Sequence, residues 1–115
     1  MKFLFLLTQI EAAWEQAPLG EGGRVYEEYM TLERELRAQS KFVESIRLRS
    51  RGEAKTLRNL ADGRRELVDG SCFDAKESIG GFYVLDCESM EEAVDWANRM
   101  PNYGHGAIEI RPLWE

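Results

Sequence analysis

The chain has 115 residues, of which 43% are hydrophobic and 31% charged, and its formal net charge is −6. This length predicts a single domain over residues 1–115 that is large enough to bury a core. The acidic balance argues against nucleic acid as a partner, because binding to phosphates needs clustered Lys and Arg. The two cysteines are too few for a disulfide framework and lack CxxC spacing, so we expect reduced thiols in a cytoplasmic protein.

The apolar start of the chain predicts a buried strand over Lys2–Thr8. This run is shorter than the core of a secretory signal, about 7–15 residues, and far shorter than a membrane span of about 20. We therefore expect no membrane partner. A helical turn over Glu11–Ala17 carries Trp14, and Pro18 with the glycines after it is expected to break the chain. These glycines are Gly20, Gly22 and Gly23.

Helical and turn patterns predict the secondary structure of the middle of the chain. Apolar residues at spacings of four, three and four indicate a helix, and an Asp-Gly pair between two polar arms indicates a hairpin. The predicted bounds are Arg24–Gln39 for the helix, Phe42–Leu48 for a strand, Ala54–Leu60 and Arg64–Val68 for the hairpin arms, and Gly81–Asp86 for another strand. Within the first of these strands, Phe42, Ile46 and Leu48 are expected on one face.

A capping box opens the last predicted helix. Ser89 is expected to accept a hydrogen bond from the backbone N–H of Glu92, and the Glu92 carboxylate is expected to accept one from the N–H of Ser89. The helix should end near Arg99, because Pro101 follows. A final strand is predicted over Ala107–Arg111.

This order of elements is a ferredoxin-like βαββαβ plan with an extra β-hairpin, in an α+β fold whose two helices cover one face of an antiparallel sheet. The first strand and the strand Gly81–Asp86 are apolar on both faces, so the second face of the sheet also needs cover. The predicted elements leave no helix for it. A partner sheet solves this problem and predicts a homodimer, a dimeric α+β barrel with a shared interior.

The most specific residues of the chain follow the hairpin. They read Asp-Gly-Ser-Cys-Phe-Asp-Ala-Lys-Glu over Asp69–Glu77, Gly-Gly-Phe-Tyr over Gly80–Tyr83, and Glu-Ile-Arg-Pro over Glu109–Pro112, with Trp96 in the acidic helix. This pattern resembles the YCII-related family, in particular its DGPF branch. The resemblance implies a dimeric α+β barrel and little about activity, because most of the family has no assigned reaction.

Five residues depart from the signature of that branch, which reads Asp-Gly-Pro-Phe-Ala-Glu-Thr-Lys-Glu. They are Ser71, Cys72, Phe73, Asp74 and Ala75. The turn after Gly70 is therefore expected to differ in shape, and any pocket it lines is expected to differ in content. Some relatives are suspected to use a His–Asp pair, but their His motif is not recognisable here. His105 is the only histidine of the chain, so that pair is not carried over.

Two residues are candidates for proton transfer. Asp69 is either a turn residue or a general base in the shared cavity. His105, between two glycines, is either a loop histidine or a proton-transfer group, since imidazole titrates near neutrality. One histidine without ligand-spaced partners does not predict a metal site, and no cofactor-binding motif is present. We therefore expect neither a metal nor a cofactor.

Five residues are candidates for ligand contact: Arg111, Glu109, Lys76, Tyr83 and Trp14. If the two isoleucines of the last strand face the helices, Glu109 and Arg111 point into the inter-sheet space. There they pair, because a lone buried charge costs several kcal/mol, or Arg111 receives a substrate carboxylate. Lys76 either orients a ligand or forms an ion pair, and the two aromatic residues belong either to the core or to a pocket wall.

Three functions are compatible with these residues. The first is a homodimeric small-molecule binding or regulatory domain. The second is a cofactor-independent enzyme that acts on a small organic acid or aromatic molecule in the barrel, through Asp69, His105 or Arg111. The third, an interaction module for transcription machinery, is implied only by the family resemblance. The enzyme requires its three residues to converge in one pocket.

Overall fold

The structure, a computed structural model, describes residues 1–73 and 75–115; Asp74, one of the altered signature residues, lies outside the described residues. The elements in chain order are β1 (Lys2–Ile10), α1 (Glu11–Glu15), α2 (Glu21–Ala38), β2 (Phe42–Arg47), β3 (Lys55–Asn59), β4 (Arg65–Asp69), β5 (Glu77–Asp86), α3 (Met90–Asn98) and β6 (Ile108–Pro112). A single 3₁₀ turn, Arg51–Glu53, lies between β2 and β3.

Four strands form one antiparallel sheet in the order β2-β5-β1-β6, and β3 pairs with β4 in a separate two-stranded sheet. Without this inserted hairpin and the short α1, the chain order β1-α2-β2-β5-α3-β6 is a βαββαβ unit. The first and third strands of the unit lie side by side at the centre of the sheet, as in ferredoxin-like folds. The predicted ferredoxin-like fold with an extra hairpin is therefore confirmed for the single chain.

One face of the four-stranded sheet carries the core. Side chains alternate along a strand, and Phe3, Phe5 and Leu7 of β1 all point to this face, where each is at most 9% exposed. They pack against Leu32 and Leu36 of α2 and against α3. Burying each such side chain stabilises the fold by roughly 1.5–3 kcal/mol, so this face is the main source of stability.

No helix covers the opposite face of the sheet in residues 1–73 and 75–115. Apolar side chains of the central strands β1 and β5 and of the edge strand β2 lie on it, at Leu4, Leu6, Ile46, Phe82 and Val84. We call these five residues the open sheet face. The molecule measures 18 Å along its shortest axis, which corresponds to one helix layer on one sheet.

A bulge in β2 corrects the predicted pattern of that strand. Phe42 pairs with Leu85, but Glu44 already pairs with the preceding residue of β5, so Val43 is an extra residue. An inserted residue reverses the alternation of side chains beyond it. Phe42 therefore packs against the core while Ile46 lies on the open sheet face, and the prediction that they share a face is wrong.

Helix α2 begins earlier than predicted. Gly20 precedes the helix with a φ of +87°, but Gly22 and Gly23 lie inside its first turn. The expectation that all three glycines break the chain is wrong for the last two. Arg24 pairs with Glu21 within this turn, and such a pair at i,i+3 supports a helix that glycine weakens.

Strand β5 begins at Glu77, well before its predicted start, because Gly80 and Gly81 continue the strand. A Cβ atom at Gly81 would lie 2.6 Å from the backbone oxygen of Ile46 in β2. The missing side chain thus allows the two strands to approach closely. The same extended pairing with β5 carries β1 on to Ile10.

The predicted cap of α3 is confirmed in one of its two hydrogen bonds. Ser89 Oγ accepts from the backbone N–H of Glu92 at 3.1 Å. The Glu92 carboxylate accepts from the N–H of Glu88 at 2.9 Å instead of from that of Ser89. The reciprocal contact therefore reaches one residue further back than the sequence predicted.

Candidate functional site

Three rings form the wall of a cleft of about 380 Å³: Trp14 of α1, and Tyr103 and His105 of the loop between α3 and β6. Residues from α1, the start of α2 and the same loop complete the cleft; they are Ala13, Ala17, Pro18, Glu21, Arg24 and Asn102. We call it the ring cleft. Its volume lies at the lower end of the range for small-molecule sites, roughly 300–1,000 Å³.

The end of β1 holds all three rings in place. The hydroxyl of Tyr103 donates to the backbone oxygen of Thr8 at 2.9 Å, and Trp14 Nε1–H donates to the Gln9 side-chain oxygen at 3.1 Å. The backbone N–H of Ile10 donates to His105 Nδ1 at 3.0 Å. Half-buried aromatic residues need such partners for their polar tips, and here three successive residues of one strand provide them.

The rings also pack on one another. The centroid of Tyr103 lies 4.9 Å from that of Trp14 and 4.7 Å from that of His105, and the third separation is 5.3 Å. The tilted and edge-on contacts are the arrangements that aromatic pairs favour. Because the rings touch, a ligand lies against the outside of this cluster and not between its members.

One nitrogen of His105 is engaged by the backbone, and the other is not engaged by any residue that the structure describes. Its Nδ1 accepts a hydrogen bond, so in the neutral imidazole the proton is on Nε2. The two nitrogens point in widely different directions, so Nε2–H points away from β1. Among the described residues Nε2 has no hydrogen-bond partner. The ring cleft therefore contains a fixed imidazole with an unused donor.

Two glycines make room for the supports of the ring cleft. A Cβ atom at Gly80 would lie 2.8 Å from Cδ of Gln9, so the Gln9 side chain uses the space over this glycine on its way to Trp14. A Cβ atom at Gly106 would overlap the backbone oxygen of Thr8, and its φ is +79°. Glycine is the residue that adopts this conformation without strain.

The charges of the ring cleft balance. Glu21 and Arg24 are its two charged lining residues, and the Arg24 guanidinium donates to the Glu21 carboxylate through both Nε and Nη2. The Glu21 carboxylate raises the pKa of Arg24 further above its ordinary value. Burial raises the pKa of Tyr103, so its phenol stays protonated near neutral pH.

Two further observations concern the described residues as a whole. No helix among them combines the length and the apolar character needed to cross a membrane. No group of three or more His, Cys, Asp or Glu side chains in the described ranges is arranged to hold a metal ion.

Comparison with known proteins places the chain in a family. The model of the YCII-related domain matches residues 1–115. The chain belongs to the YCII-related family. An uncharacterized protein of Rhizobium meliloti (strain 1021) is 33% identical to it over 106 residues, which are 90% of this chain and 82% of that protein. The family resemblance of the signature residues is thus confirmed.

Asp69 and Lys76 of this YCII-related chain lie outside the ring cleft. Asp69 ends β4, is 85% exposed, and forms an ion pair with Lys55 at 2.6 Å across the hairpin. Lys76 is exposed just before β5. Neither lines the cleft that contains His105, so one chain does not bring Asp69 and His105 together. Their roles in proton transfer stay predictions.

Glu109 and Arg111 lie on the side of the open sheet face. Ile108 and Ile110 pack against the core, so the alternation of β6 places the two charged residues on the opposite side. Arg111 Nε lies 4.0 Å from Glu109 Oε2, and both side chains are more than half exposed. An exposed pair of this kind contributes only ~0–1 kcal/mol, which leaves both charges free to meet a ligand or a partner.

Tyr83 lies on the core face. Its ring stacks on Tyr29 with centroids 5.9 Å apart and meets Phe42 edge-on at 6.3 Å. Burial and the nearby Glu33 carboxylate raise the Tyr83 pKa to about 12. The side chain is 5% exposed, so a ligand reaches it only by displacing core residues.

The sequence indicated Trp14 and His105 as site residues but did not indicate Tyr103 and Gln9. One signal was present, since Tyr103 precedes His105 by two residues with one glycine between them. Gln9 carried no signal, because its role depends on the space over Gly80. The backbone contact between His105 and β1 joins residues 95 positions apart, and local patterns do not reveal such a contact.

Proposed function

We propose that this YCII-related protein is a homodimeric domain that binds a small ring-bearing molecule in the ring cleft. One observation supports the binding function. Trp14, Tyr103 and His105 each form a hydrogen bond with β1, and His105 Nε2–H is left without a partner among the described residues. A pre-formed wall of aromatic and small apolar residues with a few placed polar groups is the usual composition of a small-molecule site. Binding alone, without turnover, satisfies this geometry.

The three tryptophans provide a direct test of the binding site. Trp14 lies in the ring cleft, Trp96 is 6% exposed in the core, and Trp114 is fully exposed near the end of the chain. Each indole N–H gives its own signal in a ¹H–¹⁵N NMR spectrum, so two signals serve as internal controls. We expect soluble one-ring compounds to shift the Trp14 signal at millimolar concentrations and to leave the Trp96 signal in place. If only the Trp114 signal moves, the ring cleft is not the binding site.

The homodimer is supported by the open sheet face. Contiguous apolar surface on a soluble protein marks an interaction site, and a second copy offers the same apolar residues with the same strand spacing. A two-fold axis then places each open sheet face against the other. Glu109 and Arg111 lie at the edge of this face and are more than half exposed, so a partner copy or a ligand there would meet them.

The two thiols support a reducing cytoplasm as the location of the protein. Cys72 is exposed in the signature loop and Cys87 is buried beside α3, and both are free. An exposed free thiol oxidises readily in an oxidising compartment. We expect the protein to remain reduced and unlinked between copies in its native setting, which gel electrophoresis without reducing agent after rapid alkylation would show.

His105 also favours a second candidate function, a cofactor-independent enzyme that moves a proton. A neutral imidazole with an occupied Nδ1 and an unused Nε2–H can donate a hydrogen bond to a substrate carbonyl and stabilise the enolate that forms when a solvent base removes the α-hydrogen. Asp69 forms an ion pair in the hairpin and does not line the cleft. His105 and Tyr103 are the rings of the cleft that carry a transferable proton. Small ketones and keto acids incubated in D₂O would exchange their α-hydrogens if this function is correct. An exchange rate equal to that without protein would exclude it for those substrates.

A further inference from the structure

We infer that the ring cleft selects a neutral, flat molecule that carries a hydrogen-bond acceptor beside its ring. This inference rests on the proposed function and adds the chemical class of the ligand. Three features of the cleft lead to it: the fixed tautomer of His105, the balance of Glu21 and Arg24, and the small apolar residues around the rings.

The tautomer of His105 sets the polarity of the ligand. The Ile10 N–H points at Nδ1, and a proton on Nδ1 would place two donors against each other. The imidazole in the cleft therefore donates through Nε2. A carbonyl oxygen or a pyridine-type nitrogen accepts that hydrogen bond, whereas an ammonium group is itself a donor and leaves Nε2–H unpaired.

The charges of the cleft set the charge of the ligand. The Arg24 guanidinium directs Nε and Nη2 at Glu21, and its Nη1 lies 2.8 Å from Glu28 of the next turn. A carboxylate ligand therefore finds the guanidinium already occupied. A cation finds the charge of the Glu21 carboxylate already neutralised by Arg24, whose two hydrogen bonds both end at Oε1. The rings also touch each other and so leave no space between their faces for a cation, which an aromatic cage requires. A neutral ligand meets neither obstacle.

The lining residues set the shape of the ligand. Ala13, Ala17 and Pro18 are small and apolar, and they lie beside Trp14 and the other two rings. A flat ring covers such a surface with large contact area and little loss of conformational freedom. A volume of about 380 Å³ suits one or two fused rings.

Three probes with the same ring separate these requirements: benzamide, benzoate and benzylammonium. Benzamide is neutral and has a carbonyl acceptor, and the other two carry a negative and a positive charge. His105 is the only histidine, so its two ¹⁵N signals need no assignment by mutation. We expect the Nε2–H tautomer in the free protein, and we expect benzamide to bind more tightly than either ion and to shift Nε2. An Nδ1–H tautomer, or tighter binding of either ion, would overturn the inferred ligand class.

The variant His105→Asn isolates the donor. The Asn side-chain oxygen lies where Nδ1 was and still accepts from Ile10, but no group then reaches the position of Nε2–H. We expect benzamide to bind about three- to tenfold more weakly, the effect of one hydrogen bond, and benzylammonium, which accepts no hydrogen bond, to bind as before. The variant His105→Gln, which places an amide N–H near the Nε2 position, should recover part of the loss. Unchanged benzamide affinity in His105→Asn would contradict the inference.

These outcomes distinguish the ligand class from the binding site itself. If the Trp14 and His105 signals show that benzoate or benzylammonium binds more tightly than benzamide, the binding site is correct and the ligand class is wrong. If none of the three probes shifts either signal, the proposed binding function fails. The tautomer measurement on the unmodified protein shows which nitrogen of His105 carries the proton, even if a variant does not fold.

Discussion

At the scale of single residues, Glu92 links three parts of the protein. Its carboxylate accepts from the N–H of Glu88 at 2.9 Å and from Trp96 Nε1–H at 3.1 Å. It also forms an ion pair at 3.0 Å with Lys41, which precedes β2. These contacts lower the pKa of Glu92, and the hydrogen bond from Glu88 is the largest cause. The residue therefore joins the start of α3 to its own interior and to β2.

We expect Glu92→Gln to reduce the free energy of unfolding by about 1–2 kcal/mol at neutral pH, because the amide keeps one acceptor and loses the charge. The pKa of Glu92 is lower in the folded state than in the unfolded state, where it is about 4.3. The ionised carboxylate therefore stabilises the fold at pH values above the unfolded pKa. This stabilisation is lost as the pH falls through the pKa of the folded state. Urea denaturation should thus show a difference at pH 7 that closes below about pH 4. Glu91→Gln, on the exposed side of the same turn, is the control; an equal effect there would contradict the role of Glu92.

The two cysteines should differ sharply in reactivity. Cys87 is 1% exposed, and burial raises its pKa to about 11, whereas Cys72 is exposed. The thiolate is the reactive form, and at pH 7 a thiol with this pKa is ionised on the order of one part in 10,000. Iodoacetamide should therefore label Cys72 in the folded protein and both cysteines in denaturant, as read by mass spectrometry. Equal labelling in the folded state would show that Cys87 is not enclosed.

Residue identity alone predicted His105 and Trp14 as site residues, and it could not predict their connection. The polar tips of both side chains are held by Gln9 and Ile10, and these contacts exist only once β1 meets the last loop. Asp69 illustrates the opposite case. Its sequence context left it either a turn residue or a base in a cavity, and in the structure it ends β4 with Lys55 across the hairpin from it.

At the scale of elements, the pair Gly80-Gly81 of β5 performs two different tasks. A Cβ atom at Gly81 would lie 2.6 Å from the backbone oxygen of Ile46, and one at Gly80 would lie 2.8 Å from the side chain of Gln9. Backbone in a paired strand has little room to move, whereas a glutamine side chain can rotate away. The first glycine thus serves the ring cleft and the second serves the sheet.

We expect Gly81→Ala to destabilise the fold by about 1–3 kcal/mol, as over-packing does, and Gly80→Ala to destabilise it less. Gly80→Ala should instead displace Gln9 and release the hydrogen bond of Trp14, which would shift its indole N–H signal. Thermal unfolding measures the first effect and ¹H–¹⁵N NMR the second. A larger loss of stability in Gly80→Ala than in Gly81→Ala would contradict this division.

The order and type of the elements followed from periodicity, because helix and strand patterns are local. The errors arose where a tertiary contact decides. The bulge at Val43 moves Phe42 onto the core next to Tyr83, and nothing in the local pattern marks that insertion. The earlier start of α2 is a different case, since the Arg24–Glu21 pair in its first turn is a local contact between residues three apart.

At the scale of the whole molecule, the thin shape is the central fact. The chain has a radius of gyration of 16.2 Å, against about 13–14 Å for a compact domain of this length. Its hairpin extends from a two-layer body whose second sheet face is apolar. We propose that a second copy covers that face, which would bury its apolar side chains between two sheets.

A charge on the open sheet face tests this proposal. Leu6→Glu places a carboxylate opposite Phe82, where a closed interface would bury it at a cost of several kcal/mol. We expect this variant to be a folded monomer in light scattering after size exclusion. The control Tyr26→Glu, on α2 and 54% exposed, should keep the mass of the unmodified protein. An unchanged mass in Leu6→Glu would show that copies associate elsewhere or not at all.

The need for cover was predictable from strands that are apolar on both faces. The location of the ring cleft was not, because it forms where α1, the first turn of α2 and the last loop meet. Gln9 and His105 lie near opposite ends of the chain, and they meet only when β6 pairs with β1. Sequence patterns thus indicated the candidate dimer face better than the candidate ligand site.

Native mass spectrometry of the purified protein in the presence of benzamide tests the homodimer and the ring cleft together, because one spectrum reports both assembly and ligand. We expect a species of twice the chain mass of 13.2 kDa that carries up to one benzamide per chain. Benzoate and benzylammonium at the same concentration should give lower occupancy. A bare monomer of 13.2 kDa that retains none of the three compounds would contradict both the homodimer and the ring cleft.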